Sequence, residues 1–457
     1  MELEEDENLG SLKELIKVAF PLMISSLAWL FMIFVDRCFL AKYSTSSLNS
    51  ATSAGTLAWG FIGGLGILTG LCSIYVAQYN GSKQYDKIGA PVWQMIWLAL
   101  ASFIVFIPLA IFGSKLIFSN IEQVQYFRII MILQPAHPVM CALAGFFIGR
   151  KQTRILIYMA VGANLINIIL DRILIFGLGP IPSFGIQGAA FGTALGSIFQ
   201  AIVLLSVFLK KDYIEKYKTN DFAFKPKLFL KIVKTGLPPS MFYSFEVFGW
   251  SIFYLMMTKL SHVHITVSSI CQSVFIMLSF FMEGLSKGVA SVGGNCIGAK
   301  KPQKINKLLK SAIIIQISFV LILFAILAIN PNIIINFFVP NTGEKAYMLS
   351  LFSTIEKCLW LTMIYLLFEG LRWIFSGLLT AAGDTLFLMI VGGMSVWLFL
   401  LLPVYLFVVR MSLSVEIAWT ISAVFSILLF IIYAVRFFSG KWKNIKLIEK
   451  VPENSTN

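Results

Sequence analysis

Asn164, Asn167, Asp171 and Arg172 interrupt the otherwise hydrocarbon-soluble stretch ANLINIILDRILIFG that runs from Ala163 to Gly177. A charged side chain within an apolar span costs between ~2.5 and 10 kcal/mol unless it faces a partner or a wet cavity, so it marks a working site by default. Asn167 and Asp171 stand one helical turn apart and share a face. Asp36, Glu246, Glu283 and Glu369 repeat the anomaly in other apolar stretches. The chemistry open to such acids is uptake and release of a proton or a small cation.

Further candidates share these runs. Thr193, in GIQGAAFGTALG, is expected to reach the cavity of Asn167 and Asp171. His137 lies between Pro135 and Pro138, where an imidazole either titrates near neutral pH or stays neutral against carbonyls freed by a kink. Glu283 and Lys287 are four apart and Glu369 and Arg372 three apart, spacings that let each pair meet on one helix face. Each pair is either a neutralised intramembrane salt bridge or a participant in transport. The six cysteines (38, 72, 141, 271, 296, 358) form no C-x-x-C or Cys/His group and read as small apolar side chains. No catalytic residue and no cofactor is expected.

These side chains have to be positioned inside a bilayer. The chain is 58% hydrophobic and 13% charged, with a mean hydropathy of +0.84, against about 25% charged residues in soluble domains. Spans need about 20 apolar residues each. Such runs occur near 14–36, 51–77, 91–113, 127–149, 155–177, 185–209, 230–258, 266–290, 311–330, 354–380, 386–409 and 417–438, which predicts twelve transmembrane helices. The acidic opening MELEEDENLG has no basic region before a short apolar core, so no cleaved signal peptide is expected.

The net charge of +14 is distributed by side rather than by patch. Of the 36 Lys and Arg, 25 fall in alternate connections: around Lys13, Lys83, Arg150, Lys210 to Lys234, Lys300 to Lys310 and Arg436 to Lys450. By the positive-inside rule this places both termini and the 210–231 connection in the cytoplasm, with the spans in the cell (inner) membrane. Basic residues used in this way orient helices and predict no nucleic-acid partner.

A shift of 217 superposes Lys17 on Lys234, Pro21 on Pro238, Gly81 on Gly298, Lys83 on Lys300, Lys87 on Lys304 and Ile88 on Ile305. Twice 217 nearly exhausts the chain, so two parallel six-helix repeats are expected. The first lobe would cover residues 1–209 and the second 232–440, with a linker at 210–231 and a tail at 441–457. Six is even, so both copies start on the same side, and transporters built this way bind substrate between the repeats and rock one against the other.

Several pieces, in order, resemble the multidrug and toxic compound extrusion (MATE) family. They are VD at Val35 and Asp36, AQYNG with its basic turn, FFIGRKQTR, and NIILDRILIFG followed by GIQGAA. In the second half they are TGLPPS before Glu246-Val-Phe, and Glu369 followed by Gly377 and Asp384. The resemblance spans about Leu12 to Phe438. It implies a V-shaped twelve-helix fold that exports a small organic substrate, cationic and amphiphilic, in exchange for H+ or Na+, as a monomer. It maps a coupling cluster onto Asp36, Asn167, Asp171 and Thr193, and a NorM-like cation site, with Na+ as its ion, onto Glu246 and Glu369. Arg37 and Arg172 depart from the family pattern, since each directly follows a proposed coupling aspartate. Neighbours on a helix diverge by about 100°, so each arginine is placed to pair with the other aspartate. That expectation puts Glu246 and Glu369 ahead of Asp36 and Asp171 as the coupling acids. His137, Glu283, Lys287 and Arg372 complete the expected substrate cavity. Rival readings are a flippase for a lipid-linked or other polar metabolite, an intramembrane enzyme using Gly383-Asp384, and a passive channel.

Overall fold

The computed structural model describes residues 9–330 and 350–448, so most of the acidic opening and the end of the tail lie outside the described residues. Apolar runs of this length can cross a bilayer only if every backbone group is satisfied within the segment, which a helix achieves. Twelve long helices form among the described residues: α1 Leu12–Tyr43, α2 Thr45–Gly81, α3 Tyr85–Ile117, α4 Ile121–Gly149, α5 Arg154–Phe176, α6 Ile186–Phe208, α7 Pro226–Leu260, α8 His262–Gly298, α9 Gln303–Ile329, α10 Phe352–Ala382, α11 Thr385–Arg410 and α12 Val415–Phe438. Each covers one expected span. Eleven are long and apolar enough to cross a membrane. The other, α7, has 35 residues and falls short only in composition, since it carries Glu246 and several Lys and Ser. Among the described residues no strand forms beyond one isolated bridge, Leu178 to Ile181.

The repeat is visible in local details. Ser44 caps α2 and Ser261 caps α8 through the same side-chain bond, 217 residues apart. Lys83 and Lys300 close the two helices in matching left-handed conformations, φ 60° and 56°. Thr153 donates to the carbonyl of Val18 at 2.9 Å, and Thr385 donates to that of Thr235 at 2.7 Å. The acceptors keep the 217 offset while the donors are 232 apart, so the second half is longer between them.

The halves meet reciprocally. α1 packs on α8 and α2 on α7, with α2 and α8 crossing at their ends. A Cβ at Gly81 would strike the backbone of Asn295, and one at Gly298 would strike that of Gln78; Gln78 and Asn295 are themselves 217 apart. Hydrogen bonds tie the same end, from Asn80 to Asn295 (2.7 Å), Gln78 to the Ala381 carbonyl (2.8 Å) and Tyr75 to Thr235 (2.9 Å). Ser240 to the Gly64 carbonyl (2.8 Å) is the deepest of these ties. The structure is therefore closed at the end bearing Lys83 and Lys300. Gly81→Val and Gly298→Val are each expected to oppose this crossing, since overpacking costs about 1 to 3 kcal/mol. In a cysteine-free background carrying Asn80→Cys and Asn295→Cys, disulfide formation across the crossing should fall roughly tenfold.

The 210–231 connection is docked on the first half. After a short helix, Lys211–Tyr217, the chain returns along α3, where Trp93 donates to the Thr219 carbonyl at 2.7 Å and Gln94 accepts from the Lys225 amide at 2.8 Å. Arg150 at the end of α4 is stacked by Phe146, Tyr213 and Tyr217 at 4.4, 4.5 and 3.9 Å. α7 then begins at Pro226, inside the stretch expected to be linker.

Candidate functional site

In the first half, α1, α5 and α6 bring Asp36, Asn167, Asp171 and Thr193 together. Glycines at 188, 192 and 196, one per turn of α6, let α5 approach closely: a Cβ at Gly188 would meet the Leu174 backbone and one at Gly192 would strike Asp171 Oδ1. Asn167 and Asp171 are fully buried. The Thr193 hydroxyl lies 2.9 Å from Asp36 Oδ2, and Asp171 and Asn167 adjoin the Asp36 carboxyl. Five atoms of the cluster have no hydrogen-bond partner: Asp36 Oδ1, both Asp171 oxygens, and the amide oxygen and nitrogen of Asn167. Orphaned buried oxygens are costly. A proton or a small cation would satisfy these. Asn164, expected in the same run, turns its amide nitrogen back to the Ala160 carbonyl at 2.8 Å.

The two adjacent arginines do not enter this cluster. Arg37 and Arg172 are exposed, and Arg172 lies over the Phe176 ring at 5.1 Å. Neither forms an ion pair with Asp36 or Asp171, contrary to the expected cross-pairing. The 100° between helix neighbours turns each guanidinium outward while its aspartate faces the α5–α6 contact.

In the second half the arrangement is reversed. The buried Arg372 on α10 donates to Glu369 through Nε at 2.9 Å and again through Nη2, and reaches Glu246 of α7 at 3.1 Å. Trp373 Nε1 adds a third bond to Glu369 at 2.7 Å, and the rings of Phe242 and Tyr433 face the guanidinium at 5.7 and 5.6 Å. The space expected to hold Na+ between Glu246 and Glu369 thus contains a permanent cation from the chain itself. The Glu369–Arg372 spacing showed half of this arrangement. Joining Glu246 to it required the crossing of α7 and α10. Asp384 is also occupied, since Arg436 binds both its oxygens at 2.7 and 3.0 Å, fastening the start of α11 to α12.

A third group lines the opening between the halves. Glu283 and Lys287 on α8 are 2.6 Å apart, with side chains 41% and 49% exposed. Around them stand Ser26 of α1 and Tyr243 of α7, near Glu283, and His137 and Cys141 of α4, near Lys287. His137 meets Trp59 edge-on at 5.0 Å, and Trp59 meets Trp29 at 5.5 Å. His137, Glu283 and Lys287 therefore share one site, whereas Asn167 and Thr193 belong to the first cluster and Arg372 to the second. Ser26, Tyr243 and Trp59 went unnoticed in the sequence, where a Ser, a Tyr or a Trp in an apolar run carries no distinguishing signal. Among the described residues no three or more His, Cys, Asp or Glu gather to hold a metal.

The MatE family model matches residues 21–173 and 239–406, which include every acid of the three groups and most of both halves but not Thr193. The chain belongs to the MatE family. Similar members include a probable multidrug resistance protein NorM of Thermotoga maritima, 22% identical over 460 residues and covering 96% of each chain. Among solved structures, a MOP superfamily transporter of Pyrococcus furiosus, described as having a binding pocket of reversed polarity, superposes with a TM-score of 0.83 at 16% identity, over 96% of this chain and 98% of that one. An outward-facing multidrug resistance MATE transporter gives 0.83 at 17% identity, over 94% and 96%. This MatE protein thus shares the twelve-helix transporter fold and is a multi-pass membrane protein.

Proposed function

We propose that this MatE protein is a secondary active exporter of amphiphilic organic compounds, drugs or toxins among them. It exchanges them for H+ or Na+ by alternating access of its two halves. The observation that carries this reading is the Asp36–Asp171 pair, three of whose oxygens are buried without a hydrogen-bond partner. The acids of the second half are already neutralised by Arg372. Coupling therefore resides in the first half, the reverse of what the neighbouring arginines suggested. The basic closed end faces the cytoplasm by the positive-inside rule, so the chain stands open toward the outside, with both termini cytoplasmic in the cell membrane, as a monomer. The name of the Thermotoga relative supports drug export.

The mechanism is a competition between two states. Substrate and coupling ion shift the equilibrium only through their different affinities for the inward-open and outward-open forms. Taking up a proton or Na+ at Asp36 and Asp171 from outside changes how α1, α5 and α6 pack, and because α1 also packs on α8 the change reaches the opening where substrate sits.

The test is transport of the fluorescent dye tetramethylrhodamine in proteoliposomes, with proton and sodium gradients imposed separately. One gradient is expected to drive transport. Glu246→Gln is expected to keep gradient-driven transport within roughly fivefold of wild type, a difference of about 1 kcal/mol. Loss of gradient dependence in Glu246→Gln, with the protein folded, would return coupling to the second half.

A further inference from the structure

The Glu283–Lys287 pair does not have the form of a structural element. Its members lie four apart on α8, so the ion pair itself joins no two helices; the Ser26 hydroxyl of α1 adds a single bond to Glu283, and both charged side chains are about half exposed. An exposed ion pair contributes only ~0 to 1 kcal/mol, too little to justify two charges in a membrane span. Nor does the fold require them, because Gly66 and Gly70 stand at the equivalent places in α2, where they pack against His137 and Cys141 of α4. What remains is their position in the opening between the halves.

We propose that Lys287 is a specificity-determining residue, which makes this opening favour amphoteric molecules, carrying an acidic group beside their cationic centre, over simple organic cations. The proposal rests on the exporter reading and refines its substrate class. Lys287 is a cation tethered 2.6 Å from Glu283, so a monocation must displace it and leave its ammonium without a counter-ion. Discrimination by an unpaired charge is a general device of selective sites. An amphoteric molecule avoids the penalty, since its acidic group takes Lys287 while its cationic centre takes Glu283, and one ion pair becomes two. The other groups facing the pair are Ser26 from α1, His137 and Cys141 from α4, and Tyr243 from α7. None supplies a second carboxylate to release Lys287. The next acid, Glu246, is bound by Arg372. Trp59 and Trp29, close to His137, offer ring faces for the apolar body of the substrate.

The test uses a matched pair of dyes, tetramethylrhodamine with its free carboxylate and its methyl ester, which share a chromophore and a cationic centre. Binding to the purified full-length protein is read by fluorescence anisotropy without any ion gradient. The wild type is expected to bind the free acid at least tenfold more tightly than the ester. Lys287→Met should bring the ratio to one or below by weakening the acid, while Lys287→Arg keeps the preference. The double variant Glu283→Gln/Lys287→Met, which leaves no lone charge and so tolerates folding better, should bind the two dyes equally. A wild type that binds both alike or neither, or a preference that survives in the double variant, overturns the proposal. Because no gradient enters the measurement, a wrong assignment of the coupling acids leaves the ratio intact. Binding with the expected preference but without transport would count against the exporter reading alone.

Discussion

Asp171→Asn is expected to reduce gradient-driven transport at least tenfold while leaving dye binding and the fold unchanged. The substituted amide is nearly isosteric with the carboxyl, so it fits the space that Gly192 leaves on α6. It also brings a donor to a cluster rich in unpartnered oxygens. Its effect on stability should therefore be small, within about 1 kcal/mol, or favourable. What it removes is the second acid of the pair proposed to take up charge and give it back. Asp36→Asn should behave in the same way. Because the two act as one unit, the double variant should be scarcely worse than either single one, the non-additivity expected of residues in contact. Two assays separate the steps. Dye exchange at zero gradient reports movement of the loaded carrier and should persist, whereas accumulation against a dye gradient should not. Accumulation at half the wild-type rate or better in Asp171→Asn would remove the first-half cluster from the coupling mechanism.

Much of the architecture was legible in the sequence, because bilayer thickness imposes a length on each apolar run and helix formation then follows from backbone hydrogen bonding. The repeat was legible for a related reason. Gly81 and Gly298 each sit where the opposite half admits no Cβ, so the same residue recurs 217 positions on. The candidate site was legible as a set of residues, though not as a set of partnerships. Sequence neighbours suggested that Arg37 and Arg172 neutralise the aspartates, yet rotation about each helix turns them outward. The arginine that does neutralise acids, Arg372, reaches Glu246 across 126 positions of sequence, a contact set by the crossing of α7 and α10. In the same way His137 and Lys287 belong to different halves, and only the packing of α8 against α4 brings them to one opening.

Arg372→Met is expected to destabilise the protein by about 3 to 5 kcal/mol, the cost of breaking a buried salt bridge from one side. Glu369 is 1% exposed, and without the guanidinium it would keep only the Trp373 donor. Glu246→Gln should cost much less, because its side chain is 21% exposed and Glu369 still balances the arginine. Removing both buried charges in Glu369→Gln/Arg372→Met should recover most of the loss, since apolar or neutral replacements of a buried pair are often tolerated. Chemical unfolding in detergent, with the three variants and the wild type compared under one condition, measures the set. This pattern would define the Arg372 cluster as a strut between α7 and α10, a fixed body against which the first half changes its packing. It would also explain why acids spaced like a cation site are unsuited to bind one: their counter-ion is covalently attached and buried. An Arg372→Met protein as stable as wild type would overturn the strut, because Glu369 would then have to carry a proton or draw in a cation of its own, and the second half would again be a coupling site.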